Sequence, residues 1–170
     1  MGTEGRGESF GIKEPISIIS GTFGKAFGSG GAFLATDKIT GENLIQNCGA
    51  FRYTTALAPP LCASALAALN LIQSNPSWGS ELKEKAIAFR DRLSQHGWQR
   101  PVGEGPIISI ILGSDELAID CQKKLETQGL LAVAIRPPTV PEGKSRLRLV
   151  IRRNTPVQAF EKLIEVLKNK

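Results

Sequence analysis

The chain has 170 residues, of which 41% are hydrophobic and 22% charged, so it can bury a core and form one globular domain or slightly more. Its formal net charge of +5 is mild and only 6% of its residues are aromatic, which argues against nucleic-acid binding but allows a basic face for an anionic substrate. No apolar run approaches the roughly 20 residues of a membrane helix, no signal peptide is recognisable, and three widely spaced cysteines favour reduced thiols in the cytoplasm over disulfides or zinc.

The first hundred residues predict a partly buried α/β arrangement. Residues 1–15 are a glycine-rich lead-in, and residues 16–19 and 32–35 have the continuous apolar character of strands in a sheet covered on both faces. A short helix is predicted over residues 37–47, with Leu44 and Ile45 facing inward, and a strand over residues 52–56. Residues 61–73 are apolar almost all round, which predicts a buried helix that begins at two prolines and ends at Asn75-Pro76.

The rest of the chain predicts a small α+β domain. Residues 80–96 form an amphipathic helix, in which the lone His96 is expected to contact terminal carbonyls rather than to act in catalysis. Glycines and prolines follow, so we place a domain boundary there, giving domains of residues 1–98 and 99–170. Strands over 107–112, 130–135 and 146–151, with helices over 114–127 and 155–169, predict helices on one face of a sheet.

A single lysine lies in the most glycine-rich stretch, residues 20–31, which contains five glycines. The stretch is not a P-loop, because Ala26 and Ile19 stand where that motif needs a hydroxyl residue and a glycine, and Phe33 breaks the dinucleotide-binding pattern. Lys25 is either the solvated lysine of a glycine-rich turn or a desolvated lysine. In the second case its neutral amine can attack a carbonyl group.

Arg146 and Arg148 alternate on a predicted strand and therefore point to the same face, while Leu147 points to the other. The planar fork of a guanidinium group suits a carboxylate, so the pair is a candidate anion site. A solvated basic face is the other interpretation, since many strands have one polar side.

Three segments carry a resemblance to a known family. Residues 22–28 (TFGKAFG) resemble the segment around the pyridoxal-phosphate lysine of the α-oxoamine synthases, and residues 51–60 (FRYTTALAPP) resemble their aromatic-Ser/Thr-Thr segment. Residues 136–141 (RPPTVP) with 145–149 (SRLRL) are similar to one branch, the 8-amino-7-oxononanoate synthases of biotin synthesis. The resemblance implies an α/β fold, the fold-type I of pyridoxal-phosphate-dependent transferases. Residues 1–98 would be part of its large domain and residues 99–170 its small C-terminal α+β domain.

The resemblance also implies roles for individual residues. Lys25 would hold pyridoxal 5'-phosphate and move the α-proton of the substrate, and Thr22 would contact the cofactor. Thr54 and Thr55 would reach the phosphate of the cofactor in the partner subunit of a homodimer. The substrate-binding residues would be Thr139 and, for the amino-acid carboxylate, Arg148.

The implied reaction joins L-alanine to a pimeloyl thioester, carried by coenzyme A or acyl carrier protein, and releases carbon dioxide. Two alternatives stay open: a catalytically inactive remnant, and another α-oxoamine synthase such as one that uses glycine and acetyl-CoA. Residues 2–7 (GTEGRG) resemble the loop that follows an Asp-x-Ala-His segment in the family. The chain would then match only the C-terminal half or less of the family, without the aspartate and histidine that meet the cofactor ring, and we expect it to be inactive alone.

Overall fold

The computed structural model describes residues 17–168, which belong to two compact units, Met1–Ser77 and Trp78–Lys170. The predicted lead-in over residues 1–15 lies outside the described residues, as does the end of the last predicted helix. No helix within residues 17–168 combines the length and apolar character needed to cross a membrane. Each unit is described by itself below.

The first unit begins with an antiparallel hairpin followed by three helices. Strand β1 (Ile18–Thr22) pairs with β2 (Ala32–Thr36) in a register that places Thr22 opposite Ala32. Helix α1 (Lys38–Asn47) is capped by Asp37, whose Oδ1 accepts a hydrogen bond from the backbone N–H of Thr40 at 2.9 Å. The short α2 (Gly49–Arg52) follows, and α3 (Pro59–Ser74) begins with prolines in its first turn.

Burial in the first unit is lower than the sequence predicts. Among residues 17–77 only Ala65 is buried, although α3 is apolar almost all round; Leu66 in that helix is 60% exposed. Both faces of the hairpin carry exposed aliphatic side chains, such as Ile18 on one face and Ile19 on the other, and Ile45 of α1 does not face inward. The predictions of a covered sheet and of a buried helix are therefore wrong for the described residues, because no neighbouring element covers these surfaces.

The predicted strand over residues 52–56 is also wrong. Arg52 ends helix α2, and the backbone N–H of Tyr53 still donates to the carbonyl of Gly49 at 3.1 Å. Local helical hydrogen bonds satisfy this backbone, whereas a strand would have needed a partner strand that the described residues do not supply. Residues 54–58 have no regular structure.

The second unit packs helices on one face of an antiparallel sheet. Helix α4 (Trp78–Gln95) leads to a three-stranded sheet in the order β3-β5-β4, formed by Ile107–Gly113, Ser145–Val150 and Val133–Ile135. Helix α5 (Asp115–Thr127) follows β3, with Ser114 as its N-cap, and α6 (Gln158–Lys168) ends the described chain. The predicted α+β arrangement is confirmed, with a shorter β4 and an α6 that begins three residues later than predicted.

A continuous apolar core holds the second unit together. Its buried members are Leu93, Ile108, Ile110, Cys121, Leu125, Ala132, Leu147, Ile151, Phe160, Leu163, Ile164, Val166 and Leu167. Helix α4 belongs to this core, since the Phe89 ring meets that of Phe160 edge to face at 4.8 Å. Contacts therefore divide the chain before Trp78, with α4 on the side of the second unit. The domain boundary at residues 98/99 stays a prediction.

Candidate functional site

Lys25 lies in the loop that joins the two strands of the hairpin. The backbone N–H of Phe23 donates to the Gly31 carbonyl, and that of Ser29 donates to the Phe23 carbonyl, both at 2.9 Å. A third bond, from the N–H of Gly28 to the Lys25 carbonyl at 3.0 Å, closes a tight turn that starts at the lysine. These bonds fix the backbone that carries the Lys25 side chain.

Side chains around the loop fix it further. The rings of Phe23 and Phe27 meet edge to face at 5.2 Å, and Phe23 lies 5.4 Å from Phe33. Gly31 has φ +94°, and a Cβ there would come within 2.5 Å of Leu57 Cδ1, so glycine is required by both conformation and space. The sequence pattern does not predict these contacts, because Phe33 and Leu57 approach the loop only after the hairpin and the segment before α3 have folded.

The Lys25 side chain is exposed. Of the two alternatives for Lys25, the described residues therefore match the solvated lysine, because the phenylalanines pack against one another rather than around it. What the loop does provide is an accessible primary amine on a hydrogen-bonded backbone. Such a group can react with an aldehyde when its amine is neutral.

The other predicted cofactor residues of the first unit carry hydroxyl groups. Thr22 is the last residue of β1, and Thr54 and Thr55 lie in the irregular segment between α2 and α3. All three are exposed, so their hydroxyls can donate to a bound group. Ser29, by contrast, is engaged, because its Oγ donates to the Leu61 carbonyl at 2.7 Å and ties the loop to α3.

The predicted substrate residues lie in the second unit. Thr139 is exposed and closes a turn just after β4, where its backbone N–H donates to the Arg136 carbonyl at 3.0 Å. Arg148 lies on the central strand β5, opposite Ser109 of β3 and Val133 of β4. It is exposed, and no carboxylate among residues 17–168 forms an ion pair with it.

Arg146 shares the face of Arg148, as the alternation predicts, whereas Leu147 is fully buried on the other side of β5. Arg146 lies opposite Ile111 and Ile135, and its Nε donates to the Lys144 carbonyl at 3.0 Å. Within the described part of the chain it also has no carboxylate partner. The open face of the sheet therefore presents two arginines that form no ion pair with a carboxylate of residues 17–168.

His96 is not part of either arrangement. Its Nδ1 lies 2.8 Å from the Arg92 carbonyl near the end of α4, and its ring meets Phe160 at 5.6 Å. The predicted contact with a terminal carbonyl is confirmed.

Comparison with known proteins gives concordant matches. A family model described as aminotransferase class I and II matches residues 4–167. A protein from Acetivibrio thermocellus is 39% identical over 171 residues, and 8-amino-7-oxononanoate synthases from Lysinibacillus sphaericus and Methylobacillus flagellatus are 35% and 36% identical. These matches cover 99%, 99% and 98% of this chain, but 43%, 44% and 43% of the relatives. The chain thus spans less than half the length of the curated relatives that it matches.

Solved structures agree on the fold. The crystal structure of 8-amino-7-oxononanoate synthase from Francisella tularensis matches with a TM-score of 0.79 at 27% identity, over 90% of this chain and 45% of that one. Serine palmitoyltransferase from Sphingomonas wittichii, at 23% identity, matches with a TM-score of 0.86 over 99% of this chain and 43% of that one. Since the family match extends over nearly the whole chain, the chain belongs to the class I and II aminotransferase family.

Proposed function

We propose that this chain carries the lysine and the carboxylate-binding arginine of an enzyme that condenses L-alanine with a pimeloyl thioester. The product would be 8-amino-7-oxononanoate, with loss of carbon dioxide, and the thioester would be carried by coenzyme A or acyl carrier protein. The observation that carries the proposal is the position of Lys25, an accessible amine on a hairpin loop fixed by backbone hydrogen bonds. The names of relatives at 35% and 36% identity support the substrates.

The residues of the first unit fit pyridoxal 5'-phosphate by their chemistry. A primary amine suits the aldehyde of the cofactor, and exposed hydroxyls suit its phosphate. When bound, the cofactor supplies an electron sink for the carbon beside the substrate amine. Lys25 would hold the cofactor and then move the proton at the α-carbon of alanine. Thr22 would contact the cofactor, and Thr54 and Thr55 would reach the phosphate bound by the partner subunit of a homodimer.

In the second unit, Arg148 would bind the carboxylate of alanine and Thr139 would contact the substrate. The absence of an ion-pair partner for Arg148 within residues 17–168 leaves its guanidinium group available for this role. In a longer chain with these residues and synthase activity, Arg148→Ala should raise the KM for alanine roughly 10- to 150-fold. A hydrogen bond to a charged group contributes about 1.5–3 kcal/mol. Arg146→Ala should change that KM less, and the opposite order would reject the assignment.

Borohydride trapping tests the proposal directly. The chain is incubated with pyridoxal phosphate, reduced with borohydride and digested, and the labelled peptide is located by mass spectrometry. Label should concentrate on Lys25. Lys38 is the matched reference, because it lies in the same unit and its side chain is 87% exposed. Equal labelling of Lys25 and Lys38, or unchanged total labelling in Lys25→Arg, would contradict the proposal.

We infer in addition that the chain alone does not turn over. The first unit buries only Ala65 among its described residues, so a bound cofactor would have an open surface on the side of Lys25 rather than a dry pocket. This observation also favours the second candidate, an inactive remnant of the same family. An assay of the chain alone with L-alanine and pimeloyl-CoA tests this inference, because any turnover would refute it.

A further inference from the structure

The open face of the sheet in the second unit has an organisation that the proposed role of Arg148 does not explain. Side chains of β3, β5 and β4 share this face in rows that the register defines. One row is Ser109–Arg148–Val133, and the next is Ile111–Arg146–Ile135. Arg148 is thus flanked on one side by a hydroxyl residue, whereas Arg146 lies between two isoleucines.

Arg146 is held differently from Arg148. Its Nε–H donates to the Lys144 carbonyl at 3.0 Å, which restricts the side chain to one orientation. Both of its Nη groups lack a hydrogen-bond or ion-pair partner among the described residues. A guanidinium group that is anchored at Nε can still bind a carboxylate with its two Nη groups.

The absence of counter-ions on this face needs an explanation. Two residues apart on a strand, Arg146 and Arg148 lie roughly 7 Å from each other along the backbone, so their charges repel. Several other cations of this unit do have partners; for example, Arg92 pairs with Glu161 at 2.6 Å and Arg100 with Asp91 at 2.7 Å. An unpaired pair of cations in the middle of a sheet is the kind of local conflict that marks a binding site.

The aliphatic surroundings of Arg146 indicate which anion it takes. Ile111 is 46% exposed, and the neighbouring rows add Val133, Ile107 and Val150 on the same face, each about half exposed. Contact of methylene groups with such a surface is favourable because it removes apolar area from water, whereas a fully hydrated phosphate buries no apolar area there. The row therefore suits a carboxylate at the end of an aliphatic chain.

From this arrangement we propose that Arg146 is a specificity-determining residue that binds the ω-carboxylate of an aliphatic acyl donor, with Ile111 and Ile135 contacting its methylene groups. The proposal rests on the proposed function, in which Arg148 takes the amino-acid carboxylate. It adds a second anion site, one row away, that selects acyl groups ending in a carboxylate over unsubstituted ones.

The test uses the complete chain labelled with ¹⁵N-arginine, and the Nε–Hε resonance of Arg146 is assigned by its loss in Arg146→Lys. The probes are heptanoate, acetate, inorganic phosphate and heptanamide. Heptanoate should shift the Arg146 resonance and bind at least about fivefold more tightly than acetate, because each fully buried methylene contributes roughly fourfold in affinity. Phosphate should bind no more tightly than acetate, and heptanamide, which lacks the charge, should not shift the resonance.

Variants separate the two parts of the site. Variants at position 146 lack the Arg146 resonance, so their binding is measured by isothermal titration calorimetry, with the parent chain measured in the same way. Arg146→Gln should lose heptanoate binding, and Arg146→Lys should recover part of it. Arg152→Gln removes the same charge from an exposed arginine just beyond β5 and should bind heptanoate like the parent chain. Ile111→Ser should weaken heptanoate severalfold and leave acetate unchanged.

Three results would overturn the proposal: equal affinities for heptanoate and acetate, tighter binding of phosphate than of heptanoate, or equal losses in Arg146→Gln and Arg152→Gln. The comparison of heptanoate with acetate on the unaltered chain decides the matter even where a variant does not fold. Failure here is distinct from failure of the proposed function, because borohydride labelling of Lys25 does not involve Arg146.

Discussion

Replacing Leu147 by alanine should destabilise the second unit strongly. Leu147 is fully buried in the central strand β5, on the face covered by helices. The substitution removes three carbon groups, whose transfer from water contributes about 2.4 kcal/mol, and the residual cavity raises the expected loss to roughly 3–4 kcal/mol. With a urea m-value of about 1.5 kcal/mol/M, the midpoint of unfolding should fall by roughly 2–2.7 M.

Tryptophan fluorescence during urea unfolding measures this effect in the correct unit. The two tryptophans of the chain, Trp78 and Trp98, both lie in the second unit, so the signal does not report on the first. The m-value should stay near that of the parent chain, because the surface exposed on unfolding changes little.

Leu66→Ala in α3 is the matched control. The same three carbon groups are removed from a side chain that is 60% exposed and belongs to the first unit, so the tryptophan midpoint should move by less than about 0.3 M. A midpoint that moves equally in both variants would refute the conclusion that the core of the second unit determines its stability. A shift below about 0.5 M in Leu147→Ala would refute the burial of that side chain.

Three further predictions concern other contacts. Arg90 is buried and donates from Nη2 to the Ile107 carbonyl at 2.8 Å, so Arg90→Ala should lower the free energy of unfolding by about 2–3 kcal/mol in the same urea assay, and an unchanged midpoint would contradict this. The Arg92 guanidinium holds the pKa of Glu161 below its ordinary value of 4.5, so this pair stabilises the folded state above that value and loses its effect as the pH falls through the lowered pKa. Glu161→Gln should therefore flatten the loss of urea midpoint between about pH 5 and pH 3, and a parallel loss in both proteins would exclude the pair as its source. The exposed aliphatic side chains of the first unit should make the chain self-associate in sedimentation velocity; Leu66→Glu should reduce this and Val102→Glu, at a 92% exposed position of the second unit, should not.

The second unit could be predicted well because its signals are local. The hydroxyl of Ser114 accepts a hydrogen bond from the Leu117 backbone N–H as an N-cap should, and Gly129 takes the positive φ of 77° that stops α5. The alternation around Leu147 fixed which side of β5 is buried. The partners of these residues all belong to the same unit, so the caps and the buried side of β5 form as the sequence predicts.

The candidate site could be predicted only in part. The loop around Lys25 can be recognised from its own residues, whereas the surroundings of the lysine depend on segments that are distant in the sequence. The glycine-rich pattern located Lys25 on a loop between two strands, which the structure confirms. It left open whether the lysine is exposed, and it did not predict that Phe23, Phe27 and Phe33 would pack against one another. Desolvation of a side chain depends on what covers it, and glycine spacing carries no information about that.

The same reasoning explains why the sequence predicted more burial in the first unit than its described residues show. A helix that is apolar all round, such as α3, is stable in water only when other segments cover it, yet the described residues leave Leu66 and Leu71 more than half exposed. Apolar faces of this extent require cover from polypeptide outside residues 17–77. The core of the second unit is complete within its own residues, so the arginines of its sheet can be tested on this chain without any such cover.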